Sequence, residues 1–189
     1  MRDNLESSQN IKITKIHIIF LTILLVINFC IFYFPGLPGS IPRVIGKSTG
    51  VTIPDMRLRY TVDELHAFLT GIGSEGRQAF QWMHLSTDLA FPLIYGLLLY
   101  SIIYRLSFQL GWPGKRLSLL GFLPTVFDLV ENFSLLYITS QYPNIPQVFG
   151  SMINYLTIGK FLFLMISLCI ILFLRIKIIL RKNKNNKTD

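Results

Sequence analysis

Asp88, Asp128 and Glu131 each fall inside a run of about 20 mostly apolar residues, long enough to cross a bilayer. A charged side chain at the centre of such a run costs roughly 2.5–3.5 kcal/mol on insertion scales, so an acid there has partners and often a task. Lys160 is the one lysine within these runs and can neutralise Glu131 or Asp128. One cation cannot pair fully with three carboxylates. At least one acid is therefore expected to be protonated, to meet an arginine (Arg57, Arg59 or Arg77), or to face a water-filled cavity. A carboxyl with a raised pKa beside a second carboxylate suits general acid–base chemistry, which makes Asp88, Asp128 and Glu131 the candidate catalytic residues. Arg77, His84, Tyr95, Asn132 and Lys160 are candidate ligand-binding residues around them, with Lys160 or Arg77 placed to hold a negatively charged group.

Spacing sorts these residues onto helix faces. His84, Asp88 and Tyr95 follow i, i+4, i+11 and share one face. Pro92 lies on that stripe, where it would kink the helix and free a backbone carbonyl near Asp88. Pro124, Asp128, Glu131 and Leu135 share a second face with Asn132 beside it, and Asn154, Thr157, Lys160 and Ser167 share a third. The same residues suit a structural role as well, because interhelical hydrogen bonds and an ion pair can fix which helices touch. His84 and Asp88 are too few to define a metal site. No phosphate-binding loop, nucleophile elbow, zinc-protease or dinucleotide motif is present, so neither a metal nor a cofactor is expected.

The elements that must carry these faces are four spans, at about 16–34, 84–104, 117–139 and 152–174. The expectation is an all-α integral membrane four-helix bundle. A polar leader (1–15, expected to be disordered) precedes it, and a basic tail (176–189) follows. The net charge of +8 is distributed in a way that argues against nucleic acid. Twelve of the 18 Lys and Arg lie in the leader, the 105–116 link and the tail from Arg175, whereas the segment 140–151 has none. Basic residues gather on the cytoplasmic side, which puts both termini and that link inside, in a plasma (bacterial inner) membrane. The first span resembles a signal peptide but exceeds a normal apolar region and has no small-residue cleavage site before Pro35, so it is read as retained. Cys30 and Cys169 are read as buried small apolar residues.

Between the first two spans, 35–81 forms an outer loop. Its first part is punctuated by Pro and Gly. Thr61-Val62-Asp63-Glu64 then reads as a capping box opening a short helix that Gly71 and Gly73 end. Val62, Leu65, Phe68 and Leu69 make an apolar stripe on that helix, so it should cap the outer end of the bundle. Trp82 and Trp112 suit the two interfaces. At 1.5 Å per residue from the outer ends, Asp88 sits ~6 Å deep, Glu131 ~9–10 Å, Lys160 ~12 Å and Asp128 near the midplane, with Asn28 at a similar depth.

Gly73-x-x-Gly76-Arg77, Asp88-x-x-Phe91-Pro92-x-x-Tyr95, Pro124-x-x-x-Asp128-x-x-Glu131-Asn132, Tyr142-Pro143 and Lys160 together resemble an uncharacterised family of small bacterial four-span membrane proteins. The resemblance spans about Asp55 to Lys160 and implies a fold without a known activity. Sterol isomerases of the emopamil-binding type are similar in architecture alone. The expected function is an intramembrane polar pocket that binds, and in an enzyme version modifies, a small amphipathic or lipid-like molecule. A proton- or ion-coupled transporter is the first alternative. The second is an accessory subunit docked on another copy or another membrane protein.

Overall fold

The computed structural model describes residues 2–46, 48, 52–112 and 114–186. Lys47, Thr49–Val51 of the expected loop, Pro113, and the ends of the leader and tail lie outside the described residues. Eight α-helices make up the described chain: α1 (Arg2–Tyr33), α2 (Ile41–Ile45), α3 (Val62–Gly71), α4 (Gly73–Leu85), α5 (Thr87–Leu110), α6 (Gly114–Leu119), α7 (Leu123–Gln141) and α8 (Gln147–Asn185). Among the described residues four helical stretches are long and apolar enough to span a membrane: Lys15–Tyr33, Gly73–Leu110, Gly114–Gln141 and Met152–Asn185. The protein is an all-α membrane bundle.

The stretches differ from the sequence expectation at their ends. α1 begins at Arg2, so the leader is helical where disorder was expected. Adding residues to an existing helix costs far less than nucleating one, and the apolar span supplies the nucleus. α8 likewise runs on through the basic tail to Asn185. The second stretch is broken at Ser86, whose φ of −121° and ψ of −94° are not helical. His84 therefore belongs to α4 and Asp88 to α5. Within the Pro/Gly-rich loop, Ile41–Ile45 closes a short helix with Pro42 in its first turn, where a missing N–H costs nothing.

Antiparallel packing of the central helices follows from their cross-links. Asp88 meets Asn132 and Tyr95 meets Asp128 between α5 and α7, while Asp128 meets Lys160 between α7 and α8, and Leu120, in the 3-10 turn just before α7, meets Ser167 of α8. α1 packs along α5, and Asn28 donates to the Thr87 carbonyl at 3.1 Å. Close approach of α5 and α7 requires Gly96, because a Cβ there would lie 1.9 Å from Thr125 Oγ1.

Apolar side chains fill the two ends of the bundle. At one end, α3 and α4 bury Leu65, Phe68, Leu69, Phe80 and Met83 against Leu135, Ile138 and Ile153 of α7 and α8, with Val44, Ile53 and Tyr60 completing the cluster. The amphipathic stripe of α3 thus caps the bundle as its pattern implies. The capping box forms: Thr61 Oγ1 accepts from Glu64 N at 3.1 Å, and Glu64 Oε2 accepts from Thr61 N at 2.7 Å. Gly73, at φ +68°, makes the sharp turn from α3 into α4. At the other end, Ile103, Leu106 and Leu174 form a second cluster. Cys30 and Cys169 are exposed, contrary to the buried placement expected, because α1 and α8 turn one side away from the rest of the chain.

Candidate functional site

Between these apolar ends lies a layer of polar groups. Pro92 has no N–H to give the carbonyl one turn back, that of Asp88, and Asn132 Nδ2 donates to it at 2.9 Å. The Pro92 carbonyl in turn accepts from Thr125 Oγ1 at 2.8 Å. These two bonds lock α5 onto α7 around Pro92, so Asn132 serves the backbone, buried behind Asp88.

Lys160 is the centre of the layer. Its Nζ lies 2.6 Å from Glu131 Oε2 and 3.3 Å from Asp128 Oδ1, so the one ammonium bridges both acids instead of choosing between them. Glu131 is fully buried, and its other oxygen meets Thr157 Oγ1. Thr157 Oγ1 also lies 3.1 Å from the Ile153 carbonyl. Asp128 Oδ2 accepts from Tyr95 Oη at 2.9 Å.

The third acid, Asp88, is faced by His84. His84 is 1% exposed and lies beneath the cap. Its Nδ1 is 2.9 Å from the Phe80 carbonyl, which can only accept, so Nδ1 carries a proton. Nε2 then faces Asp88 Oδ2 at 3.5 Å, across the helix break.

Arg77 is the candidate that the fold takes elsewhere. Its Nη1 donates to the Leu69 carbonyl at 2.9 Å, and its guanidinium lies 4.1 Å from the centre of the Tyr142 ring. It ties the C-terminal end of α3 to the α7–α8 turn and does not line the mouth of the site. Arg57 pairs with Glu64 at 3.2 Å.

A cavity of about 330 Å³ opens beside the layer. Asp88, Asp128, Tyr95 and Lys160 line it, whereas Glu131, Asn132 and His84 stand behind its wall. Phe29, Phe32 and Tyr33 of α1, Phe91 of α5, and Phe161 and Leu164 of α8 form its sides. Ile41, Ile53, Met56 and Met83 roof it. α1 and α8 both pack on α5 but scarcely on each other, so the cavity occupies the gap between them. Asn154 holds the roof: its Oδ1 accepts from Tyr60 N at 3.0 Å and its Nδ2 donates to the Tyr60 carbonyl.

Sequence reasoning found the acids and Lys160 from their improbability in hydrocarbon, and Tyr95 from the helix face it shares with Asp88. It missed the aromatic wall and the roof clamp, because Phe and Ile inside a span carry no mark of what they face. Asn154, on the same helix face as Lys160, was the available signal for the clamp. No protein-family model, curated protein or solved structure matches the chain.

Proposed function

We propose that this membrane protein binds a small amphipathic or lipid-like molecule in the cavity between α1 and α8, with Asp88 and Asp128 placed to exchange protons with it. The observation that carries this reading is the cavity itself, apolar on its sides and roof, with Asp88, Asp128, Tyr95 and Lys160 in its wall. Its volume of about 330 Å³ lies toward the small end of the range of ligand pockets, roughly 300–1,000 Å³. Phe29 and Tyr33, on the open side, are 54% and 46% exposed, which supports entry from the bilayer between α1 and α8. In the enzyme version the proton is exchanged at Asp88 or Asp128. Glu131 holds Lys160 in place and does not touch the ligand. The apolar cluster of Ile103, Leu106 and Leu174 closes the opposite end of the bundle, which favours a one-mouthed pocket over a relay across the membrane.

The charge distribution supports a plasma-membrane protein with both termini and the 105–116 link cytoplasmic. The roofed end then faces outward, and the molecule comes from the outer leaflet.

Native mass spectrometry of the protein released from its own membrane tests the pocket. A bound lipid-like mass is expected in wild type and should be lost in Phe91→Trp, which fills the cavity. A wild-type protein that carries no such mass under mild release would overturn the reading.

A further inference from the structure

We propose that the molecule taken by this cavity is a lipophilic cation, a positively charged nitrogen carried on an apolar body. This rests on the cavity being a binding site. An anion is the ligand that Lys160 suggests at first sight, but its ammonium is already shared between Glu131 at 2.6 Å and Asp128 at 3.3 Å. Drawing it toward an anionic ligand would strip a cation from Glu131, which is fully buried, and would bring the anion against Asp88 and Asp128. Like charges in a site of low dielectric repel strongly.

A cation meets the opposite conditions. Among the described residues, Asp128 and Glu131 share the Lys160 ammonium and Asp88 faces His84, so a positive ligand improves the balance of charge around the cavity. The wall is rich in rings: Phe29, Phe32, Tyr33, Phe91, Tyr95 and Phe161. Aromatic faces attract cations through their quadrupole, and aromatic cages are a recurrent means of holding quaternary ammonium groups. One of these rings already has a positive nitrogen near it, since Lys160 Nζ lies 5.5 Å from the centre of Phe161. Tyr95 Oη donates to Asp128 and so offers a ligand its ring, leaving the second oxygen of Asp128 toward Lys160. A nitrogen seated near Asp88 and Asp128 would leave its apolar body among the α1 and α8 side chains.

The test titrates purified full-length protein in neutral maltoside micelles with decyltrimethylammonium, its uncharged isostere with carbon in place of nitrogen, and decyl sulfate, reading the melting temperature. The ammonium compound should raise it saturably, with an apparent affinity about tenfold or more above the other two. That preference should shrink in Asp128→Asn, and in Asp88→Asn if the first variant does not fold. Equal effects of ammonium compound and isostere would overturn the cation and leave the pocket standing, as would a preference for the sulfate. No response to any of the three would overturn the pocket and the cation together.

Discussion

At the scale of single residues, the three intramembrane acids divide into different roles by what surrounds them. Glu131 is fully buried against Lys160 and Thr157, whereas Asp128 faces the cavity with Tyr95 and Lys160 as donors. Neutralising Asp128 leaves Lys160 its closer partner, and an asparagine oxygen can still accept from Tyr95. Asp128→Asn should therefore cost clearly less stability than loss of the Glu131 carboxylate. Glu131→Gln breaks the tighter, fully buried pair and should cost about 3–5 kcal/mol. Melting temperatures of the two variants beside wild type in mild detergent check this, and the reverse order would make Asp128 the structural acid. His84 shows why one residue's role is set by its neighbours. Its spacing from Asp88 was legible, but its burial was not, because Phe80, one turn back on α4, is held against it by Phe68 of α3, a contact between helices that spacing does not show.

Elements matter here through a few close contacts. α5 and α7 approach at Gly96 and Thr125, and the same threonine bonds the Pro92 carbonyl. Gly96→Ala should cost about 1–3 kcal/mol by overpacking. Combined with Thr125→Ala, the loss should be smaller than the sum of the two single changes, since removing the hydroxyl relieves the closest of the clashes; a melting-temperature cycle measures the difference. The roof is an element-scale device as well. Asn154→Ala deletes both bonds to the Tyr60 backbone, worth about 1 kcal/mol each. Hydrogen exchange should then quicken at Tyr60 and Leu65 while the amides of α7 keep their protection. At the start of α3, the backbone and side chain of Thr61 hold the Glu64 carboxyl below its usual pKa, with Arg57 adding a smaller push in the same direction. A depressed pKa contributes stability present above the unfolded value near 4.5 and lost as pH falls through the folded one. The first turn of α3 should thus lose exchange protection below about pH 4.5, after correction for the intrinsic rate, and Glu64→Gln should remove that pH step.

For the whole molecule, the order of layers is what separates a pocket from a set of glued helices. An apolar cap, a polar layer with a cavity, and an apolar plug succeed one another along the bundle. The plug and the basic ends lie away from the roof. Reporter fusions at the N- and C-termini should both be active in the cytoplasm and a reporter inserted at Asn144, in the α7–α8 turn, should be active outside. A split result for the two termini would remove the outer-leaflet entry proposed above. Exposed apolar side chains such as Ile23, Val26, Leu162 and Leu172 cover the outward sides of α1 and α8, as a lipid-facing surface requires.

The sequence by itself determined the class of protein, the four spanning stretches, the capping box and the identity of the intramembrane acids and lysine. Each of these is a local matter: hydropathy over about 20 residues, a turn of helix, or the cost of one charge in hydrocarbon. The tertiary structure alone decided that Lys160 bridges two acids, that His84 serves Asp88, that Arg77 stays at the cap, and that aromatic rings of α1, α5 and α8 enclose a cavity. Those outcomes depend on which face of each helix meets which neighbour. An apolar residue in a span pays almost the same to face lipid as to face another helix, so hydropathy carries no record of the choice. Small residues that allow close approach, prolines that free a carbonyl, and polar side chains that must find one another make that choice, and they act only once the helices are together.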